Sequence, residues 1–180
     1  MGSKEESSQM DNEGIVVHIS GHDTAKRDQL VRLLAKTLRD QGYSLVELTE
    51  QDARDVLEVT DVSVLARVLA WSSELLAKTG ALVLVSSNKS LSKAIVNFPG
   101  YQPAVELTTD EDFVTAASQR LYLTGEAAHL PEEITDVVLV LESTRISRRG
   151  SSPGQLADDA AYTAEEEALI EAHLRSLGYL

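Results

Sequence analysis

The sequence predicts an α/β fold: a mostly parallel five-stranded sheet flanked by helices, in three layers. Three observations carry this expectation. Residues 15–20, 81–86 and 136–142 are nearly continuous apolar runs, the pattern of strands buried on both faces. Between such runs lie stripes of apolar residues at helical spacing. Strand and helix then alternate along the chain, as in a doubly wound sheet.

The elements follow in order. Residues 1–13 are polar, without an apolar segment, and are expected to form a disordered tail. The first strand is expected at 15–20. Leu30, Leu33, Leu34, Thr37 and Leu38 form one stripe of the first helix, which Gly42 should stop. A second strand is expected at 43–48. Val64, Ala66, Val68, Leu69, Leu75 and Leu76 mark a longer helix ending near Gly80. Strands follow at 81–86, 104–107 and 136–142, with shorter helices over 89–97 and 111–119. Residues 147–160 read as a mobile loop rich in Gly, Ser and Pro. Thr163 and Glu166 form a capping box for a last helix, with Ala168, Leu169, Ala172 and Leu174 as its apolar side. One domain over 14–180 accommodates all of this.

Composition narrows the function classes. Hydrophobic residues at 43% and charged residues at 25% are the balance of a soluble globular protein. No apolar run approaches the ~20 residues of a membrane span, and with no export signal the expected location is cytoplasmic. A net charge of −13 repels a polyanion, which argues against nucleic acid as a partner. The absence of cysteine excludes disulfides, thiolate metal sites and cysteine nucleophiles. The four histidines have no metal-ligand spacing, and His18 on an apolar strand reads as a core residue whose polar atoms are satisfied.

The chemistry-bearing stretch is GHDTAKRD, Gly21 to Asp28, between the first strand and the first helix. That is the place of a phosphate loop, G-x-x-x-x-G-K-[ST]. Its glycines let backbone N–H groups face phosphate, its Lys neutralises charge, and its hydroxyl holds magnesium. Gly21 fits the first position. Lys26, Arg27 and Asp28 stand where Gly, Lys and Ser or Thr are required. Lys26 obstructs close backbone approach, Arg27 keeps the charge, and Asp28 lacks a hydroxyl. Two readings stand. Gly21, His22, Thr24, Lys26, Arg27 and Asp28 retain a small anion beside the helix N-terminus; or the stretch is a strand-to-helix turn capped by Asp23 or Thr24.

Beyond the loop, the chain resembles the adenylylsulfate kinase family. The resemblance runs from GIVVHISGHDTAKRDQLVRLLAKTLRDQGY to the closing LRSLGYL, which is similar to that family's L-x-x-x-G-Y-L. Between them, LTEQDARDVL takes the place of L-D-G-D-x-V-R, with Arg54 matching. DVSVLARVLAWSSELLAKTGALVLVSS resembles the helix and strand that carry D-R-x-E-N, with Asp61 matching its Asp and Arg67 one of the arginines that follow. LYLTGE resembles part of the lid. The resemblance implies a phosphate-loop NTPase-like fold and, for an intact member, ATP with magnesium and a sulfonucleotide.

What matches is scaffold. Thr49, Glu50 and Gln51 replace the acidic D-G-D, and Val62, Val64 and Leu65 replace Arg, Glu and Asn of D-R-x-E-N. Asn88, Lys89, Ser90 and Leu91 replace I-S-P-Y, and the F-T-G-x-D-x-P-Y run after the lid is missing. The chain is similar in this to the regulatory, kinase-like domain of fungal ATP sulfurylase, whose altered loop also places Asp after the basic residue. The resemblance thus implies a catalytically inactive member that binds a nucleotide, an anion or a protein, with no catalytic residue and no metal ligand assigned. An active kinase of divergent loop, with Arg27 as the lysine and Asp28 on magnesium, is the alternative reading. A self-associating interaction module, a homo-oligomer, is the third. Gly21, His22, Thr24, Lys26, Arg27, Asp28, Arg54 and Arg67 are the candidate anion-binding residues.

Overall fold

A computed structural model describes residues 14–110, 117, 119–148 and 164–178. In chain order the elements are β1 (Ile15–Ser20), α1 (Thr24–Asp40), β2 (Leu45–Thr49), α2 (Glu50–Leu57), α3 (Val62–Lys78), β3 (Leu82–Ser87), α4 (Lys89–Val96), β4 (Val105–Thr108), β5 (Gln119–Tyr122), α5 (Leu130–Arg148) and α6 (Ala164–Ser176). The strands form one sheet in the order β2-β3-β1-β4-β5, and each neighbouring pair is parallel.

Alternate residues of the strands feed two cores. Ile15, Val17, Ile19, Leu84 and Leu107 pack against Leu30, Leu34 and Leu38 of α1 and Val137 and Leu141 of α5. On the other face Val16, Val83 and Val85 pack against Leu65, Leu69 and Leu76 of α3 and Leu91 and Ile95 of α4. Leu174 of α6 packs against this second core. Period-two side-chain alternation in a sheet covered on both faces requires such apolar strands.

The helix boundaries have local causes. Gly42, at φ 83°, ends α1: its N–H donates to Arg39 O at 2.9 Å, and Tyr43 N–H donates to Leu38 O at 3.0 Å. These are the two bonds of a Schellman turn, which the left-handed glycine permits. Asp61 caps α3, its Oδ1 accepting from Ser63 Oγ, Ser63 N and Val64 N at 2.6, 2.7 and 3.2 Å. The Ser63 hydroxyl first, then the two amides, holds its carboxyl below the ordinary range. The Asp that matches D-R-x-E-N thus serves as a helix cap.

One expected strand is a helix. Residues 136–142 lie inside α5. Ile134, Val137, Val138 and Leu141 are buried while Leu139 is 59% exposed, which is the i, i+3, i+4, i+7 pattern of one helical face. The fifth strand is instead β5, four residues at the sheet edge that are mostly exposed. Its first residue falls at the end of the helix expected over 111–119, and residues 111–116 and 118 lie outside the described residues. Helix α2 was not anticipated. It starts where Thr49 Oγ1 accepts from Asp52 N at 3.1 Å and buries only Ala53. The tail over 1–13, most of the loop over 147–160 and Thr163 of the capping box also lie outside the described residues.

Candidate functional site

In open parallel sheets, ligands bind outside the carboxyl ends of the strands, where successive connections diverge. Here β1 is central, with β3 on one side and β4 on the other. Its exit is the stretch Gly21 to Asp28.

Helix α1 takes up most of that stretch. It begins at Thr24 with Asp23 as its N-cap, so only Gly21, His22 and Asp23 separate strand from helix. Ala25 and Lys26 fit a helix, and Arg27 N–H already donates to Asp23 O at 3.0 Å. The Asp23 carboxylate accepts from Lys26 N at 3.1 Å. That amide is one of the donors a phosphate would otherwise receive at a helix N-terminus. Replacing Asp23 by Ala removes the cap, and urea unfolding of Asp23→Ala should show a loss of about 1 kcal/mol.

Gly21 is required by close packing. A Cβ there would lie 2.0 Å from Thr109 Oγ1, because Thr109 N–H bonds Ser20 O at 3.1 Å and brings the end of β4 against β1. The amide of His22 faces Asp110, whose Oδ2 and Oδ1 accept at 3.2 and 3.4 Å.

The two cations turn inward. Arg27 is 7% exposed, its Nε donating to Ser86 Oγ at 3.2 Å and its Nη1 to Gly21 O at 2.7 Å. The guanidinium thus ties the loop's own carbonyl to the end of β3. Lys26 Nζ donates to Thr124 O at 3.3 Å, and its methylenes lie against Gly125. Thr24 and Asp28, by contrast, line an open groove of about 640 Å³ with Ala25, Gln29, Arg32 and Leu33.

The other exits follow the same rule. Glu50 accepts Arg54 Nε and Nη2 at 3.0 and 2.9 Å on Oε1. The same carboxylate accepts Asn88 Nδ2 at 2.9 Å and the Asn88 amide at 3.2 Å. The segments that stand in place of D-G-D and I-S-P-Y are therefore joined through Glu50 and Asn88. After β5, Glu133 accepts from Thr124 N at 2.7 Å and Gly125 N at 3.4 Å. Carboxylates of the chain itself hold amides at the exits of β1, β3 and β5.

The sequence-predicted residues are only partly gathered. Gly21, His22, Lys26 and Arg27 meet at the exit of β1. Arg54 belongs to the Glu50–Asn88 network, and Arg67 lies on the exposed side of α3. Sequence reasoning missed Asp110, Glu50 and Glu133 as partners of the turns. Their signal was present only as acidity, −13 overall, which reads equally as a solvated surface.

Just below these turns lies a buried polar layer. His18 Nε2 meets Ser87 Oγ at 2.8 Å and Ser92 Oγ at 3.3 Å, and Ser20 Oγ donates to Glu106 Oε1 at 3.2 Å. His18 and Glu106 are register partners on β1 and β4, and both are fully buried. Burial lowers the His18 imidazole to about 3. Burial also raises Glu106 to about 7, against the Ser20 hydrogen bond and the charge of Arg120. His18 is buried as expected, but it is only half satisfied: Nε2 meets the two serines, and Nδ1 has no partner among the described residues.

The architecture defines the class: an α/β fold with a five-stranded parallel sheet covered by helices on both faces. It is similar to APE1195, with a TM-score of 0.57 and 16% identity over 74% of this chain and 98% of that one. It is likewise similar to an APS kinase, CysC of Mycobacterium tuberculosis, with a TM-score of 0.55 and 21% identity over 72% of this chain and 98% of that one. At these identities the likeness is one of fold. No protein-family model and no curated protein matches the sequence. Among the described residues no helix is long and apolar enough to cross a membrane, and no cluster of three potential metal ligands occurs.

Proposed function

We propose that the chain is a catalytically inactive, adenylylsulfate-kinase-like domain that acts by binding. One observation carries the reading. At the exit of β1 the donors that a phosphate loop offers to ATP are engaged by Asp23 and Asp110, while Arg27 bonds Gly21 O and Ser86. Electrostatic catalysis of phosphoryl transfer needs donors and cations aimed at the transferring group. Here they are aimed at the protein. Carboxylates at the same turns oppose a polyphosphate by charge.

The role that fits is regulatory, in the manner the sequence resemblance implies. The domain binds a nucleotide, a sulfonucleotide or another protein in the cytoplasm and alters a partner's activity. The test combines an assay with a binding panel. Purified protein with ATP, magnesium and adenylylsulfate is expected to give no 3′-phosphorylated product, and robust turnover would sink the reading. A thermal-shift panel of ATP, ADP, adenylylsulfate and its 3′-phosphorylated form then separates the ligands. A shift with one of them names the ligand, and no shift with any directs the search to proteins, including a second copy of this chain.

A further inference from the structure

The buried layer beneath the β1 exit holds polar atoms that the proposed function does not use. His18 Nδ1, Tyr101 Oη and Glu106 Oε2 are each buried and have no hydrogen-bond partner among the described residues. His18 and Glu106 are 0% exposed and Tyr101 is 3%. The three converge. His18 and Glu106 are cross-strand partners whose side chains share the α3 side of the sheet. The Tyr101 ring meets the His18 ring edge-on at 5.8 Å and 77°. Its hydroxyl senses the charges of Glu74 and Glu106, which add to burial in raising it well above its usual range.

One unpaired buried polar atom costs about 1–3 kcal/mol, and native proteins rarely leave three together. Direct pairing is not the arrangement found, although the groups are neighbours. A common partner must therefore serve a carboxyl oxygen, a phenol and one nitrogen of a neutral imidazole. Water offers two donors and two acceptors, and buried waters typically make about three hydrogen bonds to such groups. A metal ion suits the set poorly, since it contains one carboxyl and one imidazole where structural cation sites gather several charged ligands.

We infer that the face of β1 and β4 under α3 carries an internal water site, formed by His18 Nδ1, Tyr101 Oη and Glu106 Oε2. The site lies next to Ser20, which bonds Glu106 and directly precedes Gly21. It links the sheet interior to the turn above through one hydroxyl. Whichever proton state Glu106 adopts, water reorients to donate to it or accept from it.

A crystal structure that resolves solvent tests this on the unaltered protein. The expected result is an ordered water at about 2.7–3.2 Å from at least two of the three atoms. A dry gap, or a direct bond from Glu106 Oε2 to His18 or Tyr101, overturns the inference. In solution, oxygen-17 relaxation dispersion counts long-lived internal waters. Glu106→Met should lose one relative to the wild type, and an unchanged count in the folded variant would also overturn it.

Discussion

Acidification from pH 6.5 to pH 3 should cost the wild-type protein about 4 kcal/mol more than it costs His18→Gln. His18 is fully buried on β1, and burial lowers its imidazole from 6.5 to about 3. In the unfolded chain the same imidazole takes a proton below about 6.5. Between these values the unfolded state binds the extra proton and the folded state does not, so stability rises with pH. The stabilisation is complete above 6.5 and is lost as pH falls towards 3. Each unit of acidification in that window costs about 1.4 kcal/mol. Gln keeps a polar group near Ser87 and Ser92 but cannot be protonated in this range. It will be less stable than His at pH 7 because it fills the site less well, yet its profile should be flatter. Urea unfolding of both proteins at intervals of one pH unit from 7 to 3 reads the difference directly. Parallel profiles would show that His18 does not titrate as its burial requires. His173 acts in the same direction: burial lowers it against the pull of Asp52, and it bonds Ser72 of α3 at 3.1 Å.

His18 also shows how far the sequence can be read. Its place in the run Ile15-Val16-Val17-His18-Ile19 identifies a buried strand residue, because apolar neighbours on both sides leave it no solvent face. The three long apolar patterns of β1, α1 and α3 are equally legible, as are the glycines that end both helices. Residues 136–142 mislead for a physical reason. DVVLVLE is rich in β-branched residues and short enough for a strand, so its period is ambiguous until Ile134 is included. The true fifth strand, QRLY, has one partly buried residue, Leu121, and carries no alternation to detect.

The site was legible as a defect but not as a structure. Lys26, Arg27 and Asp28 depart visibly from a phosphate loop. That α1 advances to Thr24, with Asp23 as its cap, follows from helix capping and was one of two open readings. That Asp110, 88 residues from His22 in sequence, takes the next amide is tertiary information. So is the bond from Arg27 to Ser86, 59 residues away. Neither partner has a local signature, because an acidic residue after a strand and a serine at a strand end are ordinary.

Glu106 should give the opposite pH dependence to His18, and Glu106→Gln should stabilise the protein at pH 8 by about 3 kcal/mol relative to its effect at pH 4.5. Burial raises this carboxyl from 4.5 to about 7. The folded state therefore holds a proton between 4.5 and 7 that the unfolded state releases. Stability from this group is complete below 4.5 and is lost as pH rises through 7. Above that, the wild type must keep a carboxylate where Ser20 Oγ is its one hydrogen-bond donor among the described residues and Arg120 attracts it only at a distance. Gln retains the Ser20 contact and carries no charge, so its advantage grows across this window. Destabilisation by Glu106→Gln at pH 8 would mean that the carboxylate is ionised and paired, and the prediction would fail in sign. His18 and Glu106 are neighbours on one face, so their slopes oppose each other between 4.5 and 6.5, where each is about 1.4 kcal/mol per pH unit. From these two groups alone the wild type gains a plateau of stability there, falling on both sides. The double variant His18→Gln/Glu106→Gln should lose both flanks together. If the two groups exchange protons through a shared water, the single-variant effects will not sum to the double.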